Sequence, residues 1–230
     1  MNQRFDTDID AKLLIFNNSK VRLELDDLSR MDENHLNANQ FIHLVNQHID
    51  SETNEPYKTL GGIYNDALKH VDTNTDIVVH WDDDDIFLPS HIQEGFNGIA
   101  RAKTHGKIAY KPAQSYYRHP DGQELMVNVL EPSIFVPYQH LLNFGYSLET
   151  TAQHHQWLNP LLESNSLFVD PEGKPTLVYN WGDIDIPTFK TSGDPNNKYN
   201  FRNYRSFSQD HGDKLLTPWP KAKVQEYYLV

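Results

Sequence analysis

The 230-residue sequence contains no cysteine, which removes disulfides, thiolate metal sites and cysteine nucleophiles together and fits a reducing compartment. It has no apolar run near the ~18 residues of a membrane span, and its opening residues lack the apolar core of a signal peptide. A cytoplasmic chain without a transmembrane segment is therefore expected. Basic residues are scarce: Lys+Arg 20 against Asp+Glu 32 gives a net charge of −12. That balance repels phosphate backbones, so extensive nucleic-acid contact is not expected. What the sequence does hold is 38% hydrophobic and 12% aromatic residues, enough for a core, in a length that suits one α/β domain. It has no internal repeat and no low-complexity tract.

Residues 12–16, Lys-Leu-Leu-Ile-Phe, are apolar and stop at Asn17-Asn18-Ser19, the pattern of a strand buried on both faces and closed by turn residues. Residues 41–45 form a second strand candidate before a polar loop at 48–57. From Thr59, the expected N-cap, the period changes to 3.6: Leu60, Ile63, Ala67, Leu68 and Val71 line one face of a helix. Residues 76–81, Asp-Ile-Val-Val-His-Trp, predict a buried strand that runs into four consecutive aspartates, Asp82, Asp83, Asp84 and Asp85. After Pro89, Ser90 and Gln93 compose a capping box for a second helix with Ile92, Phe96, Ile99 and Ala100 as its inward stripe. This alternation predicts an α/β chain with a mainly parallel sheet in its first half. The second half reads as short strands at 108–110, 115–118, 125–129 and 176–181, a hairpin turn at Pro120-Asp121-Gly122, a helix over 158–162, and an irregular stretch from 182 onward.

Side chains two apart on a strand share a face, so an extended aspartate run aims Asp82 and Asp84 together. It does so at the carboxyl end of a parallel strand, where open α/β sheets place their ligands. Adjacent carboxylates repel unless water or a cation neutralises them, and hard oxygen donors select Mg²⁺, Mn²⁺ or Ca²⁺ over zinc. A solvated acidic turn is the plainer alternative.

The span Leu60-Gly61-Gly62-Ile63-Tyr64-Asn65-Asp66-Ala67-Leu68, followed by residues 76–89 with their aspartates and Pro89, resembles the core of glycosyltransferase family 2, which has the GT-A fold. The resemblance implies a GT-A-like, Rossmann-like α/β domain over 1–230. Its nucleotide- and metal-binding half would occupy 1–105, an acceptor-side half 106–181 and an irregular C-terminal segment 182–230. It also implies a UDP- or GDP-sugar donor, a divalent cation (Mn²⁺ or Mg²⁺), inversion at the anomeric carbon, and an acceptor that is a glycan, lipid or other hydroxyl compound. Carried over by position, Asp84 and Asp82 would hold the metal, and Asn65, Asp82, Asp83 and Asp85 would bind the donor. In relatives the catalytic base follows an aromatic-Gly-aromatic turn. Here that turn is Phe144-Gly145-Tyr146-Ser147 and the usual acidic pair reads His154-His155, which makes His155 a candidate base and Glu149 the carboxylate alternative. Residues 131–136 resemble the segment lining the acceptor side, Trp157 and Trp181 have rings suited to a sugar face, and residues 180–183 stand where a cover over the metal would lie.

The sequence departs from the family in two places. The first strand and helix, with their Pro-x-Tyr-Asn loop, have no counterpart; Asn2-Gln3-Arg4-Phe5 matches the end of that helix. Either strands 12–16 and 76–81 then close on each other, or a second copy or partner chain completes the sheet, or an upstream segment belongs to the protein. Tyr64 also stands where many relatives carry Arg. A non-catalytic, partner-dependent remnant of the fold is thus the alternative to an enzyme. An acidic Ca²⁺ module ranks behind both, because the spaced oxygen ligands and glycine of a calcium loop are missing.

Overall fold

A computed structural model describes residues 3, 5–6, 8–26, 42–82, 85–118, 124–127, 131–149, 153–180, 182–183 and 186–187. The first elements are strand β1 (Leu13–Asn17), strand β2 (Ile42–Asn46), helix α1 (Leu60–Leu68), strand β3 (Ile77–Val79), strand β4 (Ile86–Phe87) and helix α2 (His91–Thr104). They are followed by β5 (Ala109–Pro112), β6 (Ser115–Arg118), β7 (Glu124–Val127), a 3-10 turn (Glu131–Ser133), β8 (Phe135–Pro137), α3 (Tyr138–Phe144) and α4 (His155–Glu163). Strands β9 (Leu167–Asp170), β10 (Leu177–Asn180), β11 (Gly182–Asp183) and β12 (Ile186–Pro187) complete the described set. Hydrogen-bonded strand orders are β1-β2, β4-β10-β6-β7, β11-β12 and β3-β8-β5-β9. Among the described residues no helix is long and apolar enough to cross a membrane.

The protein is α/β, but its sheets are mixed where a mostly parallel arrangement was expected. Pairs β1-β2, β6-β10 and β5-β9 are parallel, whereas β4-β10, β6-β7, β5-β8 and β11-β12 are antiparallel. Connection length explains part of this: only residues 119–123 separate β6 from β7, a link that reaches an antiparallel neighbour and is too short for a parallel crossover. The hairpin turn expected at 120–122 falls on that link, outside the described residues. The alternative in which strands 12–16 and 76–81 close on each other is not taken up, since β1 and β3 belong to different sheets.

Two compact units divide the chain. One comprises the described residues within Asp6–Val78 and Val136–Ser166. Here Thr59 caps α1 as expected, its hydroxyl accepting from Gly62 N at 3.2 Å. The helix ends at Leu68, short of Val71. The face it buries includes Gly61, Gly62 and Asp66, while Leu60 is 36% exposed. Asp66 tolerates burial because Gln47 Nε2, Ser51 N, Ser51 Oγ, Tyr57 OH and Lys69 Nζ all donate to its carboxylate. Tyr138, Leu141, Trp157 and Leu161 form the buried interior under α3 and α4, and Tyr138 OH donates to Leu68 O at 3.1 Å.

The other unit comprises the described residues within Asn2–Phe5, Val79–Phe135 and Leu167–Val230. Its core holds Ile99, Ala102, Ala109, Tyr110, Ile134, Phe135, Leu177 and Val178. The inward stripe predicted for α2 is corrected here. Phe96 is 49% exposed and Ala100 also faces solvent, while His91, Glu94, Gly95, Gly98, Ile99 and Ala102 are buried. The reason is close approach: a Cβ on Gly95 would meet the Phe135 ring at 1.9 Å, and one on Gly98 the Tyr110 ring at 2.2 Å. Glu94 is carried inside by Arg101 Nη2 at 2.6 Å and Tyr110 OH at 2.9 Å, and Arg101 Nε donates to Asp170 at 2.7 Å.

Candidate functional site

The acidic segment lies in the second unit. Strand β3 stops at Val79, and Asp85 N donates to Asp82 O at 3.4 Å, a turn-type bond between the two described ends of the acidic run. Asp82 and Asp85 are half-buried, and Asp83 and Asp84 lie outside the described residues. The expectation that Asp82 and Asp84 share a face involves Asp84, which lies outside the described residues.

Both arms of this turn are anchored. Trp81 and Phe87 stack with centroids 4.2 Å apart, and the His91 ring meets both at 5.6 and 4.9 Å. His91 is 1% exposed, and burial pushes its pKa down to about 3, so the imidazole is neutral. Its Nδ1 shares a 2.8 Å hydrogen bond with Thr176 Oγ1, and Nε2 has no hydrogen-bond partner among the described residues. Thr176 also accepts from Leu88 N through its carbonyl at 2.8 Å.

The capping box expected at Ser90 does not form, since Ser90 makes no side-chain cap bond. Gln3 supplies the group instead. Its Oε1 accepts from Ile92 N at 3.3 Å and its Nε2 donates to Leu88 O at 2.8 Å. No local signal in the sequence announces a cap from 89 residues away.

Asn65, Glu149 and His155 belong to the first unit. Asn65 projects from α1 and exchanges two hydrogen bonds with one residue: Tyr146 N donates to its Oδ1 at 2.8 Å, and its Nδ2 donates to Tyr146 O at 2.9 Å. Gly61 brings α1 close to the same turn, since a Cβ there would stand 1.9 Å from Ser147 O. The turn itself reverses at Gly145, with φ of 65°, in the left-handed region that glycine enters without a Cβ penalty. Glu149 is exposed, its backbone N–H donating to Ser147 Oγ at 3.2 Å. His155 is exposed at the first position of α4, and its ring lies 4.7 Å from that of His154. Trp157 is 1% exposed and serves as core, which corrects its reading as a sugar platform; Trp181 lies outside the described residues.

Among the described residues no group of three or more His, Asp or Glu side chains is gathered as a metal site. In the acidic turn the available donors are carboxylate oxygens, a set that suits a hard divalent cation. The sequence reading missed Gln3, His91, Thr176 and Tyr146. Gln3 and Tyr146 were visible there only inside the spans that carry the resemblance, Asn2-Gln3-Arg4-Phe5 and Phe144-Gly145-Tyr146-Ser147. Compared with known proteins, the chain matches no family model and no curated sequence.

Proposed function

We propose that the chain is a metal-dependent, inverting glycosyltransferase of the GT-A kind, taking its sugar from a UDP- or GDP-linked donor and passing it to a hydroxyl of a glycan, lipid or other acceptor. The observation that carries this reading is the anchored acidic turn: four aspartates between β3 and β4, with arms held by the Trp81–Phe87 stack and by Gln3. Loops that bind charged ligands need such fixed ends, because a mobile cluster of carboxylates loses both like-charge energy and entropy on closing around an ion.

Asp82 and Asp84 would hold Mn²⁺ or Mg²⁺, with Asp83 and Asp85 towards the donor. When bound, the ion neutralises the charge that gathers on the departing diphosphate. Glu149 or His155 would take the proton from the acceptor hydroxyl as its oxygen attacks the anomeric carbon, carboxylate and imidazole both being proton acceptors of the required kind.

Calorimetric titration of UDP and of GDP in the presence of Mn²⁺ tests the reading. Saturable, metal-dependent binding is expected, weakened about tenfold or more by Asp84→Ala. Wild-type protein that binds neither nucleotide with Mn²⁺ present rejects it.

A further inference from the structure

The geometry points to Asn65 as a positioning residue: its side chain clamps residues 144–147 to α1 and thereby fixes where Glu149 and His155 stand. The resemblance had assigned Asn65 to the donor. Its amide is instead engaged by the main chain of Tyr146, which gives its N–H to Oδ1 and takes Nδ2–H at its carbonyl. A side-chain amide paired to both polar groups of one residue reproduces a step of strand pairing, and it fixes the height and the rotation of that residue together. Each such bond removed exposes a half-buried backbone group to partial desolvation without a partner.

Four further contacts hold the same turn. Gly61 leaves room for Ser147 O against the α1 backbone. Gln156 Nε2 donates to Phe144 O, and Ser147 N donates to Gln153 O at 2.9 Å. The Tyr64 and Tyr146 rings meet at 5.0 Å. The turn is therefore gripped by α1 on one side and by the residues that open α4 on the other. Glu149 follows directly from its Ser147 end, bonded to the Ser147 hydroxyl, and His155 opens α4 beside Gln156. Moving Tyr146 moves the segment on which both candidate bases are strung. The inference rests on the proposed transfer only for what those two groups do.

The test compares wild type with Asn65→Ala, Asn65→Asp and Gly61→Ala in the full chain. Asn65→Asp keeps the acceptor for Tyr146 N–H and loses the donor to its carbonyl; Gly61→Ala displaces the same turn with no change of polar groups. Far-UV circular dichroism identifies the variants that fold. Three readouts follow: hydrogen exchange across residues 141–153, affinity for UDP with Mn²⁺, and turnover of a UDP-sugar. The folded variants are expected to lose exchange protection at Tyr146 and Ser147 by about tenfold, the loss of one net hydrogen bond. Turnover should fall by a similar factor while nucleotide affinity stays within about twofold.

Unchanged protection in both Asn65 variants overturns the clamp, as does a loss of nucleotide affinity with turnover of the remaining complex intact, the signature of a direct donor ligand. Wild type that binds no nucleotide rejects the transferase reading and the catalytic consequence with it. Exchange across the turn then still decides whether Asn65 holds Tyr146.

Discussion

At the scale of single residues, two buried groups among the described residues, Asp66 and His91, make the fold sensitive to acid in separate windows. Burial works against the charge of Asp66, but the bonds from Lys69, Ser51 and Tyr57 outweigh it and hold the carboxyl well below its ordinary 3.8. A depressed carboxylate contributes stability that is complete above the unfolded value and is lost as pH falls through the folded one. Asp66 therefore weakens the fold only below about pH 4. Tyr57 is pushed well above its ordinary value by burial and by Asp66, so it stays a donor throughout. His91 acts earlier. Neutral when folded down to about pH 3 and protonated when unfolded below 6.5, it makes the unfolded chain bind the extra proton, so stability falls by about 1.4 kcal/mol per pH unit between those limits. His91→Phe should abolish that slope. It should also cost ~1–3 kcal/mol at pH 7, because the Thr176 hydroxyl is left buried without its partner. Urea titrations at pH 7, 6, 5 and 4.5 check this: the two stabilities should converge near about pH 5, and parallel curves would mean that His91 takes up its proton without leaving the fold.

At the scale of elements, the helix faces show where hydropathy misleads. Gly98 on α2 reads as a weak helix position, and Gly→Ala normally improves an exposed helix by ~1 kcal/mol. Here the added Cβ would meet the Tyr110 ring at 2.2 Å, and overpacking of ~1–3 kcal/mol should win. Gly98→Ala is expected to lower the melting temperature, whereas Phe96→Ala, on the exposed side, should change it little; the reverse order would restore the predicted stripe. The sequence made legible those elements whose signal is local. Strands β1 and β2 follow from short apolar runs ended by polar turns, and the start of α1 follows from Thr59, all within a residue or two of where the structure has them. Helix α3 and strands β4 and β9 escaped, because Tyr138–Phe144 and Leu167–Asp170 are too short to display a period. The face of α2 escaped for another reason: a glycine under a ring and an acid paired to Arg101 are invisible to a scale that scores each residue by itself. Of the candidate site, the acidic run and Asn65 were visible as residue types. Their partners were not, since Tyr146 lies 81 positions from Asn65 and Gln3 lies 89 from Ile92.

At the scale of the whole molecule, the net charge of −12 makes self-repulsion the dominant long-range term. The ion pairs on the outside, Lys12–Asp72, Arg22–Glu24 and Lys58–Glu55, have both side chains largely solvated, and such pairs contribute little. Screening should therefore relieve more repulsion than attraction: raising sodium chloride from about 10 mM to about 150 mM, which shortens the Debye length to ~8 Å, is expected to raise the melting temperature. A fall would mean that the solvated pairs outweigh the excess of acids. A different consequence comes from Arg101, whose single guanidinium answers Glu94 on its own helix and Asp170 on β9. Replacing the arginine strands two acids, and replacing either acid leaves the other to balance the cation with Tyr110 alone beside it. Arg101 is thus the costliest of the three positions to change, because its loss leaves two largely buried carboxylates without a cation while the loss of one acid leaves a matched pair.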